Sequence, residues 1–161
     1  PMATVELDEV DTQLLTLLQE NARYTALELA DEVGVSDNTV HNRIARLEEN
    51  GIITGYTTTV DNERAGLRLF FLFVCTARIS ERATVADEVL TIPQVVEVTE
   101  VMSGERNLLV KVYGADDEDI SRVATRMDEL ALEINDEKLI KTQHAAGLDY
   151  HALGDMLATA E

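Results

Sequence analysis

Only one cysteine, Cys75, occurs in this chain of 161 residues. That excludes an intramolecular disulfide and a cluster of thiolate metal ligands, and its setting in "RLFFLFVCTARI" reads as a small buried apolar residue. Lysine is nearly as scarce, limited to Lys111, Lys138 and Lys141. No stretch approaches the roughly 18 consecutive apolar residues of a membrane span. The first residues do not pair a basic segment with an apolar one, so a signal peptide is not expected and the expected location is cytoplasmic. A paired nucleophile and base, a glycine-rich phosphate loop and an HExxH-type spacing are also missing. His41 lies within a helical pattern, and His144 and His151 stand seven apart with no nearby ligand partner. Neither enzymatic activity, nor a cofactor, nor a metal is expected.

Acid is what the chain has in excess. Thirty-one Asp and Glu face thirteen Lys and Arg, a formal net charge of −18. These acids are interleaved with apolar positions rather than gathered in a tail, which is the pattern of solvated faces on a folded protein. The composition looks like that of a protein from a salt-loaded cytoplasm, and a salt-dependent fold is the expectation it raises. With 45% hydrophobic residues, the chain can form one medium domain or two small ones, each with its own core.

Up to about residue 50 the apolar period is helical. Val10, Leu14, Leu17 and Leu18 fall on one face of a first helix, with Asp8 placed to cap it. Thr25 and Glu28 form a capping box ahead of Leu29, Ala30 and Val33, and Gly34 ends this second helix where a left-handed cap is needed. Ser36 is the next N-cap, and Val40, Ile44 and Leu47 repeat until Asn50 and Gly51 stop a third helix. The short β-branched stretch Ile53 to Val60 then reads as a strand or small wing, followed by the linker "DNERAGLR".

The rest follows a β-α-β-β-α-β order. A long strand is expected from Leu67 to Ile79, a helix from Arg82 to Leu90, a hairpin of "QVVEVTEV" and "LLVKVYG" around the turn "MSGERN", and a closing strand "KLIKTQHAA". Ile120, Val123, Ala124, Met127, Leu130, Ala131 and Ile134 mark a second, longer helix. This order is the split βαβ, or ferredoxin-like, arrangement, with both helices on one face of an antiparallel sheet. The expected class is therefore α+β within the mixed α/β group. Residues 1–53 are expected to form a winged helix-turn-helix, 54–66 a strand and linker, and 67–161 the ferredoxin-like domain.

In the long strand, Phe70, Leu72 and Val74 point away from the helices. Leaving them in water would forgo about 1.5 to 3 kcal/mol each. A homo-oligomer with sheets packed face to face is expected, the alternative being cover by the C-terminal tail or the N-terminal domain.

With Val40, Ile44 and Leu47 turned inward, the third helix presents Asn38, Asn42, Ala45 and Arg46, flanked by Thr39, His41 and Arg43, with Ser36 at its start. Asn can bond the adenine edge twice, Arg a guanine edge or a phosphate, and Thr a phosphate or a thymine methyl. A structural hairpin with a polar outer face would show the same spacing. The charge stands against DNA: over residues 1–61, Arg23, Arg43 and Arg46 oppose twelve acids. In molar salt that objection weakens, because the Debye length falls to about 3 Å and remote acids no longer repel the duplex. Binding must then rest on direct contacts, with affinity flat or rising as salt increases.

The segments "LDEVD", "LLQENAR", "ELADEVGVS", "RIARLEENGII" and "GY", in that order, resemble the N-terminal winged helix-turn-helix of the Lrp/AsnC transcription regulators. The βαββαβ unit is similar to that family's effector-binding domain, so the resemblance spans nearly the whole chain. It implies a sequence-specific regulator of promoter DNA, acting as a homodimer or as a tetramer or octamer, and responsive to an amino acid or similar small metabolite. A non-specific architectural or chromatin protein built on the same parts is the alternative. With the acidic composition, the resemblance points to a halophilic archaeon as the source. It also places the effector at the hairpin turn, on Met102, Ser103, Gly104, Glu105 and Asn107. Asn107 stands where the family usually has an acid, and offers a neutral carbonyl and a donor amide in place of a full charge.

Overall fold

Residues 3–158 are described by the structure, a computed structural model. The chain divides into two compact units, one taking residues up to Thr58 together with those from Ala145 onward, the other Thr59–His144.

Three helices make the first unit: α1, Glu9–Glu20; α2, Ala26–Val33; and α3, Asp37–Glu49. Each starts where a side chain satisfies an amide that the helix leaves open. Asp8 accepts from the Asp11 N–H at 3.0 Å while the Asp11 carboxylate accepts from the Asp8 N–H at 3.1 Å. Thr25 and Glu28 close a second reciprocal box, and Ser36 accepts from the Thr39 N–H at 3.1 Å. Gly34, at φ +79°, makes the left-handed exit from α2 that lets α3 start within three residues. Leu14, Leu29, Ala30 and Val40 form the core, with Val10, Leu17, Val35 and Ile44 packed around it.

Between Gly51 and Leu69 no strand forms, so the expected wing from Ile53 to Val60 is absent as a paired element. β-Branched residues favour an extended backbone, but a strand needs a neighbour to pair with, and none of the described segments supplies one. The tail also departs from the expected boundary. Residues after Ala145 return to the helical unit, where the Gln19 amide donates to the Leu148 carbonyl at 2.9 Å and the His151 N–H donates to the Thr16 hydroxyl at 3.2 Å. A short helix, α6, Gly154–Ala158, ends the described chain.

The second unit runs β1, Leu69–Thr76; α4, Arg82–Val89; β2, Val95–Glu100; β3, Leu108–Gly114; α5, Asp117–Glu129; and β4, Glu133–Leu139. Its sheet order is β2-β3-β1-β4, antiparallel at every pairing, which is the ferredoxin-like topology. Phe73, Cys75, Val110 and Val112 on the inner face join Val85, Val89, Ile120, Val123 and Met127 from the helices in one core. On the outer face Phe70, Leu72 and Val74 of β1 lie opposite Tyr113, Lys111 and Leu109 of β3, all half-buried. Phe70 stacks on Tyr113 with ring centroids 4.1 Å apart, and Lys111 pairs with Glu97 at 2.9 Å.

Three expected boundaries move. β1 stops at Thr76, leaving Ile79 82% exposed beyond the sheet. α5 ends at Glu129, and Ala131 takes a left-handed φ of +60° to reverse the chain, so Ile134 belongs to β4 and pairs with Cys75. β4 accordingly starts five residues before Lys138 and is over at Leu139, with one further ladder bond from the Ile140 N–H to the Phe70 carbonyl. Its sequence, EINDEKL, has no apolar run of its own, and pairing with β1 is what makes it a strand. Among the described residues no helix is long and apolar enough to cross a membrane.

Candidate nucleic-acid interface

The tight turn at Gly34 and Val35 leads α2 directly into α3, whose inner edge is Val40, Leu47 and the half-buried Ile44. Its opposite edge is exposed: Asn38, Asn42 and Ala45 succeed one another along the helix, with His41 and Arg46 exposed beside them and Thr39 half-buried. Ser36 is exposed, but its hydroxyl is engaged as the cap and sits 2.9 Å from the Thr39 hydroxyl. Asn38, Asn42 and Ala45 are short side chains, and among the described residues no hydrogen bond engages either amide; a side-chain amide of this kind can bond an adenine edge twice.

Arg43 and Arg46 are placed differently from a pair of free cations. Arg43 Nη1 bonds Asp8 and, at 3.3 Å, Asp11, whose side chain has no exposed surface. Arg46 Nη1 lies 3.5 Å from the other Asp11 oxygen, and its Nη2 donates to the Glu6 carbonyl at 3.0 Å. Two acids from the start of α1 thus neutralise two arginines on α3. Burial works to raise the Asp8 pKa, but the Asp11 backbone N–H and the Arg43 guanidinium outweigh it and hold the carboxyl below its ordinary value. The Asp8 hydrogen bond in turn raises the pKa of Arg43. Sequence reasoning found Asp8 as a cap and missed this second role. The available signal was the acid at Asp11, in the third position of its own helix, but its partners lie 32 and 35 residues away.

In the second unit the turn between β2 and β3 brings Met102, Ser103, Gly104 and Glu105 together at the surface, with Met102 95% exposed and Gly104 at φ +89°. Asn107 is not among them. It is 4% exposed, its carbonyl oxygen accepts from the Ala77 N–H at 2.8 Å, and its amide donates to the Ala77 carbonyl at 2.8 Å. Of the five residues expected at the effector site, Asn107 is the one whose side chain is buried beneath the turn, where it prolongs the pairing of β1 with β3. Ala77 presents one donor and one acceptor, and the neutral amide answers both. The turn is closed by the Val101 N–H donating to the Asn107 carbonyl at 2.9 Å, and braced by Arg82, which reaches Glu100 at 3.1 Å and the Val101 carbonyl at 3.0 Å.

A compact trihelical unit with an exposed polar edge on its third helix, carried with a ferredoxin-like unit, defines a helix-turn-helix DNA-binding protein of two parts. Residues 7–48 match the AsnC-type helix-turn-helix domain. The chain is 36% identical over 121 residues to an HTH-type transcriptional regulator of Pyrococcus horikoshii, covering 73% of this chain and 79% of that one. It is 30% identical over 120 residues to the transcriptional regulator AldR of Mycolicibacterium smegmatis, covering 73% of this chain and 70% of that protein. Its fold matches a transcriptional regulator from Neisseria meningitidis, solved as a complex with L-Met, with a TM-score of 0.76 at 25% identity over 88% of this chain and 96% of that one. The chain belongs to the Lrp/AsnC family of transcription regulators. Its relatives are transcriptional regulators, not enzymes.

Proposed function

We propose that the protein reads a specific promoter site as a homodimer or higher homo-oligomer. Asn38, Thr39, His41 and Asn42 meet the bases, and Ser36, Arg43 and Arg46 meet the backbone. The exposed edge of Asn38, Asn42 and Ala45 along α3 is the observation that carries this reading. Selection of duplexes from a random-sequence pool tests it. A near-palindromic site is expected, with half-sites about 10 base pairs or a multiple apart. Asn42→Ala is expected to weaken the selected site by about tenfold while sparing unselected DNA. Equal coating of every duplex would make the protein architectural instead.

Dimerisation is proposed through the outer sheet face of Phe70, Leu72, Val74 and Tyr113. Val74→Lys is expected to shift the mass in light scattering towards the monomer.

The effector is proposed to be an amino acid or similar small metabolite, held at the turn of Met102, Ser103, Gly104 and Glu105. The L-Met complex of the Neisseria meningitidis regulator supports that chemical class. Glu105 supplies the exposed carboxylate for an ammonium group, and Asn107 holds the base of the turn rather than the ligand. A rise in melting midpoint with one amino acid, lost in Glu105→Gln, tests the site. The acidic surface suits a cytoplasm of concentrated salt, and a melting temperature unchanged from millimolar to molar KCl would remove that part.

A further inference from the structure

Arg43 meets two acids that differ in accessibility. Asp11 has no exposed side-chain surface and is shared with Arg46, so it stays with the arginines. The Asp8 side chain is 50% exposed and holds the same Nη1 from the solvent side. An anion that reaches Nη1 of Arg43 from the solvent side takes the place of Asp8 there. We propose that Asp8 is an internal counterion that exchanges with a DNA phosphate at Arg43, so that this contact forms with little net release of salt ions. The inference rests on the reading of α3 as the DNA-contacting helix.

Charge balance gives the consequence. When a free arginine meets a phosphate, the cation condensed there is released, and log K falls with log salt by about 0.9 per phosphate. At Arg43 the phosphate still loses its cation, but the displaced Asp8 carboxylate gathers one. The two ion movements cancel, and the contact carries almost no salt dependence. An acidic protein can then hold a polyanion over a wide range of salt without surplus basic residues. Only three arginines and no lysine occur in residues 1–61, so this single exchange bears on a large share of the available phosphate contacts.

The sign of one substitution separates exchange from mere positioning. Asp8→Asn keeps the helix cap, since Asn caps as well as Asp, and removes the charge. The probes are a duplex enriched by the wild-type chain from a random pool and an unselected duplex of equal length, titrated from about 0.1 to about 1 M KCl. Expected is tighter binding of Asp8→Asn at low salt and a slope steeper by about 0.9 for each Arg43 to phosphate contact. Over that tenfold range of salt this is an extra loss of affinity of about eightfold per contact. Arg43→Gln added to Asp8→Asn returns the slope to the wild-type value. An unchanged slope in Asp8→Asn, or weaker binding at every salt with the slope unchanged, overturns the exchange and leaves Asp8 a positioning residue. A wild-type chain that enriches no duplex from the pool and does not bind the unselected one at any salt overturns the reading of α3 itself. Circular dichroism of each variant confirms that the helices are kept.

Discussion

Asp11 in the helical unit and Asn107 in the sheet unit are both cut off from water, at 0% and 4% exposed, and they meet the cost of burial in opposite ways. Asp11 is an acid that faces two guanidiniums, Arg43 and Arg46, which remain partly in water. Asn107 is neutral and faces a single backbone residue, Ala77, that offers both an N–H and a carbonyl. Whether a buried side chain should be charged is decided by what surrounds it: two cations demand an acid, while one donor beside one acceptor demands an amide.

The sharpest way to break this comparison is to exchange the chemistry. Asn107→Asp loses the donor to the Ala77 carbonyl and sets a carboxylate against it, and is expected to destabilise the sheet unit by about 3 kcal/mol in urea unfolding. Burial raises the pKa of the new carboxyl, and once protonated it regains an O–H donor. The deficit should therefore shrink as pH falls towards the acid limb. A deficit constant with pH would show that the amide's donor is not what matters.

Asp11→Asn is expected to cost less, about 1 to 2 kcal/mol, because the amide still accepts and the arginines freed from pairing are partly solvated. Hydrogen exchange within α1 and α3 would read it.

Acid titration compares the units on a smaller scale. Asp119, in α5, is held below its ordinary value of 3.8 by the Ala115 backbone N–H first and the Gln94 amide second. Asp8 is lowered in the helical unit. Because folding depresses both, their contributions are complete above the unfolded aspartate value and are lost as pH falls through it towards the folded ones. Asp119→Asn should flatten the acid limb of the sheet unit by about 1 kcal/mol, and the half-exposed Asp8 should matter less.

The smallest effect concerns Cys75. Burial first, and Glu137 second, push its thiol up to about 12, so a thiol reagent at neutral pH should leave the folded chain unlabelled. Asn107→Asp should speed labelling by opening the sheet unit, and Asp11→Asn should not. Equal acceleration in both would mean that the units unfold as one.

Much of this was legible in the residues. The caps at Asp8, Thr25 and Ser36 and the left-handed exit at Gly34 are local events within a few positions, and each stands where the spacing places it. The strand LLVKVYG is also found whole, because its alternation of buried and half-buried residues is strict from Leu108 to Gly114. Ile134 misled, since it lies at a helical spacing from Met127 and Leu130, yet the chain reverses at Ala131 before reaching it. Asn107 misled for a different reason. It adjoins an exposed turn in sequence, and its direction is set by Ala77, 30 residues earlier.

Residue order alone settles the three capped helices, the βαββαβ order and the apolar stripes of both faces of β1, because each depends on neighbours within one or two turns of chain. Long-range packing settles that EINDEKL is a strand, that Asn107 points inward and that Arg43 and Arg46 are held by Asp8 and Asp11. In these cases the partner is far along the chain, and a hydrogen bond or ion pair has no periodic trace in the residues that make it.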